Sequence, residues 1–313
     1  VYYVAGFLSD RDIWLLQNKL GSKVLFYLMD VAALTGGCHY PWECQGYHSS
    51  CESCPALYKP AQVIAKKTME RRKVIYNQMD SMFISCSSWI DDKITASALQ
   101  AKYPSKKILI GIEPEIFTPR NRQIANENLG LNIPLDKKVI LIGAQTLKDV
   151  RKGVSLLLEA LNTLSNKKSE LDDVVLLSVG DDIDSALISG VEHICIPFIK
   201  DKSLYPFIYN LADVFICPSI EDAGPMMINE SILSGTPVIA FDVGVARDLI
   251  LDSYSGFICK DKSVKSLREN IMKFLSLSMS DINFMKERAR AIGLQKTTSE
   301  VQVKLFTSIL DSE

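Results

Sequence analysis

The sequence predicts an α/β fold built on parallel sheets, because short apolar strands alternate with helical segments along most of the chain. From about residue 137 the alternation is regular, and the strands are nearly continuous apolar runs. Alternation of this kind is typical of βαβ units, and continuously apolar strands suit a sheet that is covered on both faces. The length of 313 residues allows two domains, since one domain takes roughly 100–200 residues.

The individual elements are predicted from short apolar runs and from apolar residues at helical spacing. In the first third, strands are predicted at 24–29, 82–87 and 107–111, each a short apolar run. In the second part, Gly, Pro and Ser separate the apolar segments and mark the turns between them. The predicted elements there are strand 137–144, helix 153–166, strand 174–180, helix 203–212, strand 213–219, helix 225–234, strand 236–241 and strand 256–259, followed by helical segments.

Composition and charge exclude several classes of protein. The net charge of −2 gives no electrostatic footprint for nucleic acid, and no apolar run approaches the roughly 20 residues of a membrane-spanning helix. Basic residues cluster at 59–73 with interleaved apolar residues, as in an amphipathic helix. A solvated cationic face is one interpretation of this helix, and contact with a membrane surface or an anionic acceptor is the other.

The most informative segment is 218–241, which joins a strand, a polar turn, a helix and a second strand. Asp222 precedes the helix and Glu230 lies within it, so both can face the carboxyl end of a parallel sheet, where open α/β sheets bind ligands. Ionised carboxylates accept strong hydrogen bonds and suit hydroxyl-rich groups such as ribose and hexose. Stabilisation by the helix dipole is an alternative explanation for Asp222, but it leaves Glu230 unexplained.

This segment resembles the donor-binding signature of glycosyltransferase family 4, retaining enzymes of the GT-B fold. The family pattern is E-x7-E followed by a G-T-P-V-I-A strand, and Asp222 and Glu230 occupy the two acidic positions. The resemblance implies that Glu230 binds the ribose of a nucleotide sugar and that Asp222 binds hydroxyls of the transferred sugar. It extends to three further segments: 34–57, which resembles a polysaccharide-building branch of the family, 111–119 and 151–161.

The resemblance implies two Rossmann-like domains with parallel sheets, the first over 1–115 and the second over 116–295. The Pro-rich stretch 111–123 is the best candidate for the linker between them. By this resemblance the first domain lacks roughly its first half, including the first strand and the Gly-rich loop. We therefore expect it to be incomplete. The last helix, at about 296–313, is expected to return to the first domain, as it commonly does in GT-B enzymes.

The implied reaction is transfer of a sugar from a nucleoside-diphosphate sugar to a glycan or lipid-linked acceptor, with retention of configuration. Polysaccharide biosynthesis is the implied pathway type, and no nucleic-acid partner is expected. Cysteines 86, 195, 217 and 259 lie in apolar strands and are interpreted as reduced core thiols. They favour a cytoplasmic location, and peripheral association at the inner membrane face is a further expectation.

Backbone N–H groups at the start of helix 225–234 are expected to bind the donor diphosphate, as helix N-termini bind anions in general. Pro225 has no N–H, so Met226 and Met227 are the expected donors. Gly224, just before this helix, and Gly143, at the end of a predicted strand, complete the cofactor-binding set. No metal is expected in the chemistry.

A cation is needed to offset the charge that develops on the leaving diphosphate. Lys152 precedes a glycine and a predicted helix, and it matches the family lysine that has this role. The arginine that the family usually carries five residues earlier is replaced by Leu147, with Gln145 and Lys148 nearby. Arg151 and Lys148 are the candidates to substitute for it. The alternative for Lys152 is an ordinary solvated residue at a helix start.

The first domain of the family often contributes a His-Asp pair to the sugar site, and here the corresponding residues are Met29 and Asp30. Asp30 is therefore a candidate catalytic residue without its histidine. His39 could compensate, although we expect it to belong with the neighbouring cysteines. Two loops, at 180–182 and 244–247, are further candidates for the donor pocket, and ordinary αβ turns explain them equally well.

Four of the eight cysteines, Cys38, Cys44, Cys51 and Cys54, lie within 17 residues in the pattern C-x5-C-x6-C-x2-C. The C-x2-C spacing suits tetrahedral zinc ligation, so these residues are a candidate structural metal site. Disulfides in an oxidising compartment and an unliganded loop are the alternatives.

Other functions are weighed against glycosyl transfer. A nicotinamide-dependent oxidoreductase would show G-x-G-x-x-G after its first strand, and this chain does not. A zinc-dependent nucleic-acid binder would show interleaved basic and aromatic residues, and this chain does not. A catalytically inactive sugar-nucleotide-binding protein stays open, because Met29 and Asp222 depart from the family pattern and the first domain is expected to be incomplete.

Overall fold

The computed structural model describes residues 1, 7–143, 146, 148–165, 171–180 and 190–311, without the side chain of Ser165. The chain divides into two compact units, Val1–Leu109 and Ile110–Glu313. Each unit is described by itself. The predicted return of residues 296–313 to the first domain stays a prediction.

In its described part, unit 1 contains a three-stranded parallel sheet with the order β1-β2-β3. Helix α1 begins with a capping box, in which Ser9 accepts from the Asp12 backbone N–H while the Asp12 side chain accepts from that of Ser9. The elements are α1 (Asp10–Leu20), β1 (Val24–Leu28), α2 (Lys59–Tyr76), β2 (Ser81–Ser85), α3 (Ser88–Ala96) and β3 (Tyr103–Lys107), with short 3₁₀ turns at Ala32–Leu34 and Gly46–His48.

Unit 2 contains a six-stranded parallel sheet and helices α4 to α11 in its described part. Its strands are β4 (Lys138–Gly143), β5 (Val174–Val179), β6 (Glu192–Ile196), β7 (Val214–Cys217), β8 (Val238–Phe241) and β9 (Gly256–Cys259). Its helices are α4 (Arg122–Leu129), α5 (Val154–Ser165), α6 (Tyr205–Leu211), α7 (Met226–Leu233), α8 (Ala246–Leu249), α9 (Val264–Leu275), α10 (Met279–Lys296) and α11 (Ser299–Leu310).

The strand order of unit 2 is β6-β5-β4-β7-β8-β9. Counted from β4, this is the order 3-2-1-4-5-6 of the dinucleotide-binding fold. The order reverses between β4 and β7, which pair through Ile140 with Val214 and Leu141 with Phe215. Ligands of open α/β sheets bind at this reversal, outside the carboxyl ends of the strands. The topology therefore predicts a ligand site at the carboxyl ends of β4 and β7.

A buried ion network joins the opposite ends of the same two strands. The carboxylate of Asp213, just before β7, is 1% exposed and lies 2.5 Å from the Arg122 guanidinium and 2.8 Å from the Lys286 ammonium. It also accepts from the Val139 backbone N–H. Burial opposes ionisation, but Lys286 and Arg122 outweigh it and hold the pKa of Asp213 below its ordinary value. The network fixes α4 and α10 to the sheet.

The predicted α/β class with parallel sheets is confirmed, whereas two strand predictions fail. The strand predicted at 107–111 lies instead at Tyr103–Lys107, where it is partly exposed and polar; the apolar residues Ile108 and Leu109 follow it and are buried in irregular backbone. Strand β6 has no counterpart among the predicted elements. Both strands lie at sheet edges, where exposure removes the apolar run on which the prediction depends.

Candidate functional site

The segments that follow β4 and β7 meet at the topological reversal of the sheet in unit 2. The Ile220 N–H donates to the Arg151 carbonyl at 2.8 Å, which ties the loop after β7 to the turn at Val150–Lys152. Gly153 ends that turn with φ +62°, and a Cβ built on it would lie 1.9 Å from the Pro218 carbonyl oxygen. Only glycine allows this backbone conformation and this approach without strain.

Lys152 and Asp222 form an ion pair at this point, with Nζ and Oδ2 2.7 Å apart. Asp222 is 6% exposed, and its second oxygen accepts from the Gly224 N–H at 3.2 Å. Burial opposes the charge on Lys152, but Asp222 outweighs it and raises the pKa of the lysine. The two predicted residues are therefore in direct contact.

Glu230 lies on α7, and its Oε2 accepts a 2.5 Å hydrogen bond from the Tyr209 hydroxyl. Burial raises the pKa of the Glu230 carboxyl, and the hydrogen bond from Tyr209 opposes this shift. Tyr205, one turn earlier on α6, has a raised pKa from burial and from the Glu230 charge. The two tyrosines are absent from the predicted site. No local sequence pattern marks them, because their contact with Glu230 depends on how α6 packs against α7.

The first turn of α7 offers backbone N–H donors near these residues. The helix is capped by Pro225 without a side-chain hydrogen bond, and the Ile228 N–H donates to the Pro225 carbonyl. The N–H groups of Met226 and Met227 precede this first bond of the helix, so they are available to a ligand. Gly224, another member of the predicted cofactor-binding set, differs, because its N–H already donates to Asp222.

A cavity of about 160 Å³ lies between these elements and is lined by Gly143, Lys152, Tyr205, Cys217, Met226 and Met227, among others. A Cβ on Gly143 would lie 2.6 Å from the Met227 methyl group, so this glycine leaves room for the methionine side chain. The structure thus brings together Lys152, Gly143, Met226 and Met227 from the predicted set.

Two further contacts fix the position of α7 and its preceding loop. The buried Asn229 amide donates to the Ile110 carbonyl at 2.9 Å and to the Thr297 hydroxyl at 2.6 Å. Gly244, with φ +59°, packs against the loop before α7, and a Cβ there would lie 3.1 Å from the Asp222 carbonyl oxygen. Of the candidate loops, 244–247 therefore contacts the site, whereas 181 and 182, like Gln145 and Leu147, lie outside the described residues.

In unit 1, Asp30 follows β1 and is hydrogen-bonded to His39. Its Oδ2 lies 2.7 Å from His39 Nδ1, and its Oδ1 accepts from the Ala32 N–H at 2.8 Å. Both side chains line a cavity of about 270 Å³, which Met29 and Arg71 also line. The expectation that His39 belongs with the cysteines is wrong, because its ring is hydrogen-bonded to the Asp30 carboxylate.

The four clustered cysteines line a different cavity of unit 1, of about 280 Å³, and all eight cysteines are free thiols. In the described ranges, no group of three or more His, Cys, Asp or Glu side chains is arranged so that it could hold a metal ion. Of the predicted core thiols, Cys86, Cys217 and Cys259 are buried, whereas Cys195 is exposed because it lies on the edge strand β6.

Within the described residues, no helix is both long enough and apolar enough to cross a bilayer. The basic segment at 59–73 does form a helix, α2, in which Ala61, Ala65, Met69 and Tyr76 are buried. Val63 and Ile64 on the same helix are exposed. Contact of this helix with a membrane stays a prediction.

Two solved structures illustrate the fold that this chain shares with known proteins. Sucrose-phosphate synthase from Thermosynechococcus elongatus is 18% identical, with a TM-score of 0.71 over 100% of this chain and 73% of that chain. Anabaena HepE, solved in complex with UDP and glucose, is 16% identical, with a TM-score of 0.68 over 97% of this chain and 76% of that chain. At these identities the likeness shows the GT-B fold alone.

Sequence comparison gives the family. The lipopolysaccharide 1,2-N-acetylglucosaminetransferase of Salmonella typhimurium is 27% identical over 193 residues, which are 56% of this chain and 49% of that protein. The matched segments span about half or less of the curated relatives. A family model, "Glycosyl transferases group 1", matches residues 125–292, a range that includes Lys152, Asp222 and Glu230. The chain therefore belongs to the group 1 glycosyl transferases.

Proposed function

We propose that this chain is a retaining glycosyltransferase of family 4 type, which transfers a sugar from a nucleoside-diphosphate sugar to a glycan or lipid-linked acceptor. The observation that carries the proposal is the Lys152–Asp222 ion pair at the reversal of the sheet, with Glu230 on the adjoining helix. These residues lie within the segment that the family model matches. The reversal is also where the fold binds nucleotides in general.

The proposed roles follow from charge and position. Lys152 stabilises the negative charge that develops on the leaving diphosphate, which is the kind of electrostatic stabilisation that preorganised cations supply. The N–H groups of Met226 and Met227 bind phosphate oxygens at the helix N-terminus. Glu230 accepts from the ribose hydroxyls, and Tyr209, bonded to one of its oxygens, holds it in place. Asp222 binds hydroxyls of the transferred sugar.

We assign Asp30 and His39 to the acceptor side in unit 1. Their hydrogen bond of 2.7 Å fixes the orientation of the imidazole ring, in the way that a carboxylate orients a catalytic histidine. A cavity of about 270 Å³ that both side chains line offers space for part of a sugar. In this proposal His39 replaces the histidine that the family carries at the position of Met29.

The proposed setting of the reaction is the biosynthesis of a cell-surface polysaccharide in the cytoplasm, with an acceptor that is presented at the inner membrane face. The Salmonella relative is named for lipopolysaccharide, and the free thiols of the buried cysteines agree with a reducing compartment. HepE was solved with UDP, so UDP is the first nucleotide to test.

A catalytically inactive sugar-nucleotide-binding protein is the second candidate. It is favoured by Asp222, which has one methylene less than the glutamate of the family pattern and is held by Lys152 and Gly224. In this case the nucleotide binds but no sugar is transferred. Binding and turnover measurements on the same protein distinguish the two functions.

Thermal unfolding with UDP, GDP, ADP, TDP and their common sugars tests the donor site. A ligand at about 100 times its dissociation constant adds roughly 2.7 kcal/mol to the folded state. We expect a stabilising shift with one nucleotide that is lost in Glu230→Ala and kept in Glu159→Ala, which removes an exposed carboxylate from α5. An unchanged shift in Glu230→Ala would refute the site.

Turnover then tests the reaction itself. Incubation with the stabilising nucleotide sugar and candidate glycan acceptors should release the nucleoside diphosphate, and NMR of the product should show the anomeric configuration of the donor. Binding without release of diphosphate on any acceptor supports the inactive binding protein. An inverted product refutes retention while leaving the transferase assignment in place.

A further inference from the structure

The loop between β1 and α2 carries four thiols that glycosyl transfer does not use. We propose that Cys38, Cys44, Cys51 and Cys54 bind one zinc ion and that this ion fixes the loop, residues 35–58, against helix α2. This proposal is independent of the donor site, since all of its residues lie in unit 1. The probe that tests it is the metal itself.

All four cysteines line the same cavity, of about 280 Å³, although they are spread over 17 residues. The point where a Cβ on Gly46 would lie is 3.4 Å from the Cys44 sulfur and 4.0 Å from that of Cys51. The fold therefore brings all four cysteines around one cavity.

The other walls of the cavity are apolar, formed by Pro41, Ala56, Leu57 and Ala65 together with glycines and Tyr47. Four sulfur ligands are a set that structural zinc takes. His39 is the nearest rival ligand in sequence, but its Nδ1 is bonded to Asp30. The Gly46 N–H donates to the Cys44 sulfur at 3.4 Å, and N–H groups of this kind support metal-bound sulfur as outer-shell partners.

The backbone of this loop gives an independent reason for a cross-link. Between residues 35 and 58 the described structure has no α-helix or strand and only the 3₁₀ turn at Gly46–His48. Cys51 and Trp42 both have φ +53°, a conformation that costs a side-chain-bearing residue free energy and persists only where the surroundings impose it. Irregular loops longer than about 12–15 residues are uncommon in compact domains and are usually functional or disordered. A tetrahedral ion would order this one.

The four sulfurs are not preformed at ligand distance, as the absence of a metal-competent group in the described residues shows. Zinc–sulfur bonds of about 2.3 Å would draw them together into the cavity that they already line. The loop is anchored for this closure, because the Gln62 amide of α2 donates to the Cys54 carbonyl at 2.9 Å. Within the loop, the Thr35 hydroxyl donates to the Cys38 carbonyl at 2.8 Å.

The first test is the metal content of the full chain, purified without a histidine tag in reducing, metal-free buffer. We expect about one zinc per chain and protection of four cysteines from alkylation, with Cys195 reactive as an exposed internal control. A chelator should lower the unfolding temperature, and zinc, unlike magnesium, should restore it. Absence of zinc together with no uptake on titration would overturn the proposal, and so would two disulfides or bound iron in the loop.

Substitutions assign the ligands. Cys51→Ser and Cys54→Ser should each abolish stoichiometric zinc binding, whereas the control Cys195→Ser should retain it. Cobalt added to the zinc-free chain should give thiolate-to-metal charge-transfer absorption that weakens in each ligand variant. If the ligand variants do not fold, the chelation and cobalt experiments on the unaltered chain decide the question, since neither depends on a substitution. Zinc retained in both folded variants would overturn the assignment.

Discussion

The ammonium group of Lys152 lies 2.7 Å from the carboxylate of Asp222 across a sequence separation of 70 residues. The contact exists because β4 and β7 are neighbours in the sheet, although β5 and β6 lie between them in the chain. An anionic ligand that enters this point meets a cation already held in position. The pair also keeps the buried carboxylate of Asp222 neutralised while the site is empty of donor.

Replacement of Lys152 by alanine should lower kcat by about 10²–10³-fold, the usual effect of removing one preorganised group that stabilises transition-state charge. Lys148→Ala is the matched control, because Lys148 lies on the same loop, is exposed and is the alternative cation that the sequence offers. Steady-state kinetics with saturating donor provides the measurement. An equal loss in both variants would mean that the loop carries diffuse charge rather than a defined catalytic lysine.

Gly153→Ala should disable the site without removing any functional side chain. The residue has φ +62°, and its Cβ would lie 1.9 Å from the Pro218 carbonyl oxygen, so the turn that carries Lys152 must move away from β7. Gly130→Ala is the control, with φ +65° and nothing within 4 Å of its Cβ. The control should cost only about 1–2 kcal/mol of stability, the price of the backbone conformation.

The two glycine variants are compared by unfolding in urea and by nucleotide affinity. We expect Gly130→Ala to bind nucleotide normally and Gly153→Ala to bind it weakly, even where the latter remains folded. Normal nucleotide affinity in folded Gly153→Ala would show that the turn has another way to hold Lys152.

Glu230→Gln should stabilise the protein at neutral pH, by about 0.5–2 kcal/mol as is common for substitutions that relieve a functional site. Burial raises the folded-state pKa of Glu230, so the protonated form is favoured by folding. The contribution of this group to stability is full below its unfolded pKa and is lost as pH rises through the folded value. The amide avoids that loss, while ribose binding is expected to fall.

Unfolding free energies measured over a range of pH test this prediction. The difference in unfolding free energy between Glu230→Gln and the unaltered chain should shrink as pH falls into the acidic range, where Glu230 itself becomes protonated. Glu159→Gln, an exposed position, should show no such trend. A Glu230→Gln variant that is less stable at neutral pH would mean that the Tyr209 hydrogen bond outweighs the burial of the charge.

Asp213→Asn should destabilise unit 2 by about 3–5 kcal/mol, because it leaves the Arg122 and Lys286 charges without their buried partner. The pKa of Asp213 is held below its ordinary value, so its stabilisation is complete above the unfolded pKa and is lost as pH falls through the folded one. Asp242→Asn removes an exposed ion pair with Arg247 and should cost at most about 1 kcal/mol. Urea unfolding at neutral and acidic pH compares the two; equal effects would argue against the network.

The fold class could be predicted from sequence because buried parallel strands such as β4 and β7 are continuous apolar runs with turn residues at their ends. Strands β3 and β6 could not, since both are partly exposed and carry polar residues. Exposure removes the periodic signal, and pairing with a neighbour then decides the structure.

The candidate site also has a part that could be predicted from sequence and a part that could not. Asp222, Glu230 and Lys152 could be found because a motif marks their positions on elements that the sequence predicts. The contacts of Glu230 with Tyr209 and of Asp30 with His39 could not, because they depend on how one element packs on another. A hydrogen bond across 21 residues leaves no local pattern in the sequence, whereas an acid at a strand end does.

Replacement of His39 by alanine should reduce turnover without changing nucleotide affinity. The proposed donor-binding residues lie in unit 2, whereas His39 is hydrogen-bonded to Asp30 in unit 1. The loss of His39 should therefore affect kcat and the KM for the acceptor. A group that transfers or positions a proton contributes about 10²–10⁴-fold to the rate.

His48→Ala is the control, because His48 is exposed and packs edge-on against Tyr47. Asp30→Asn should weaken turnover less than His39→Ala, since it retains an acceptor oxygen for the ring. Titration with UDP and acceptor kinetics on the same preparations measure the two quantities separately. A drop in UDP affinity with unchanged kcat would place His39 on the donor side, and normal kinetics in both variants would leave the Asp30–His39 pair a purely structural contact.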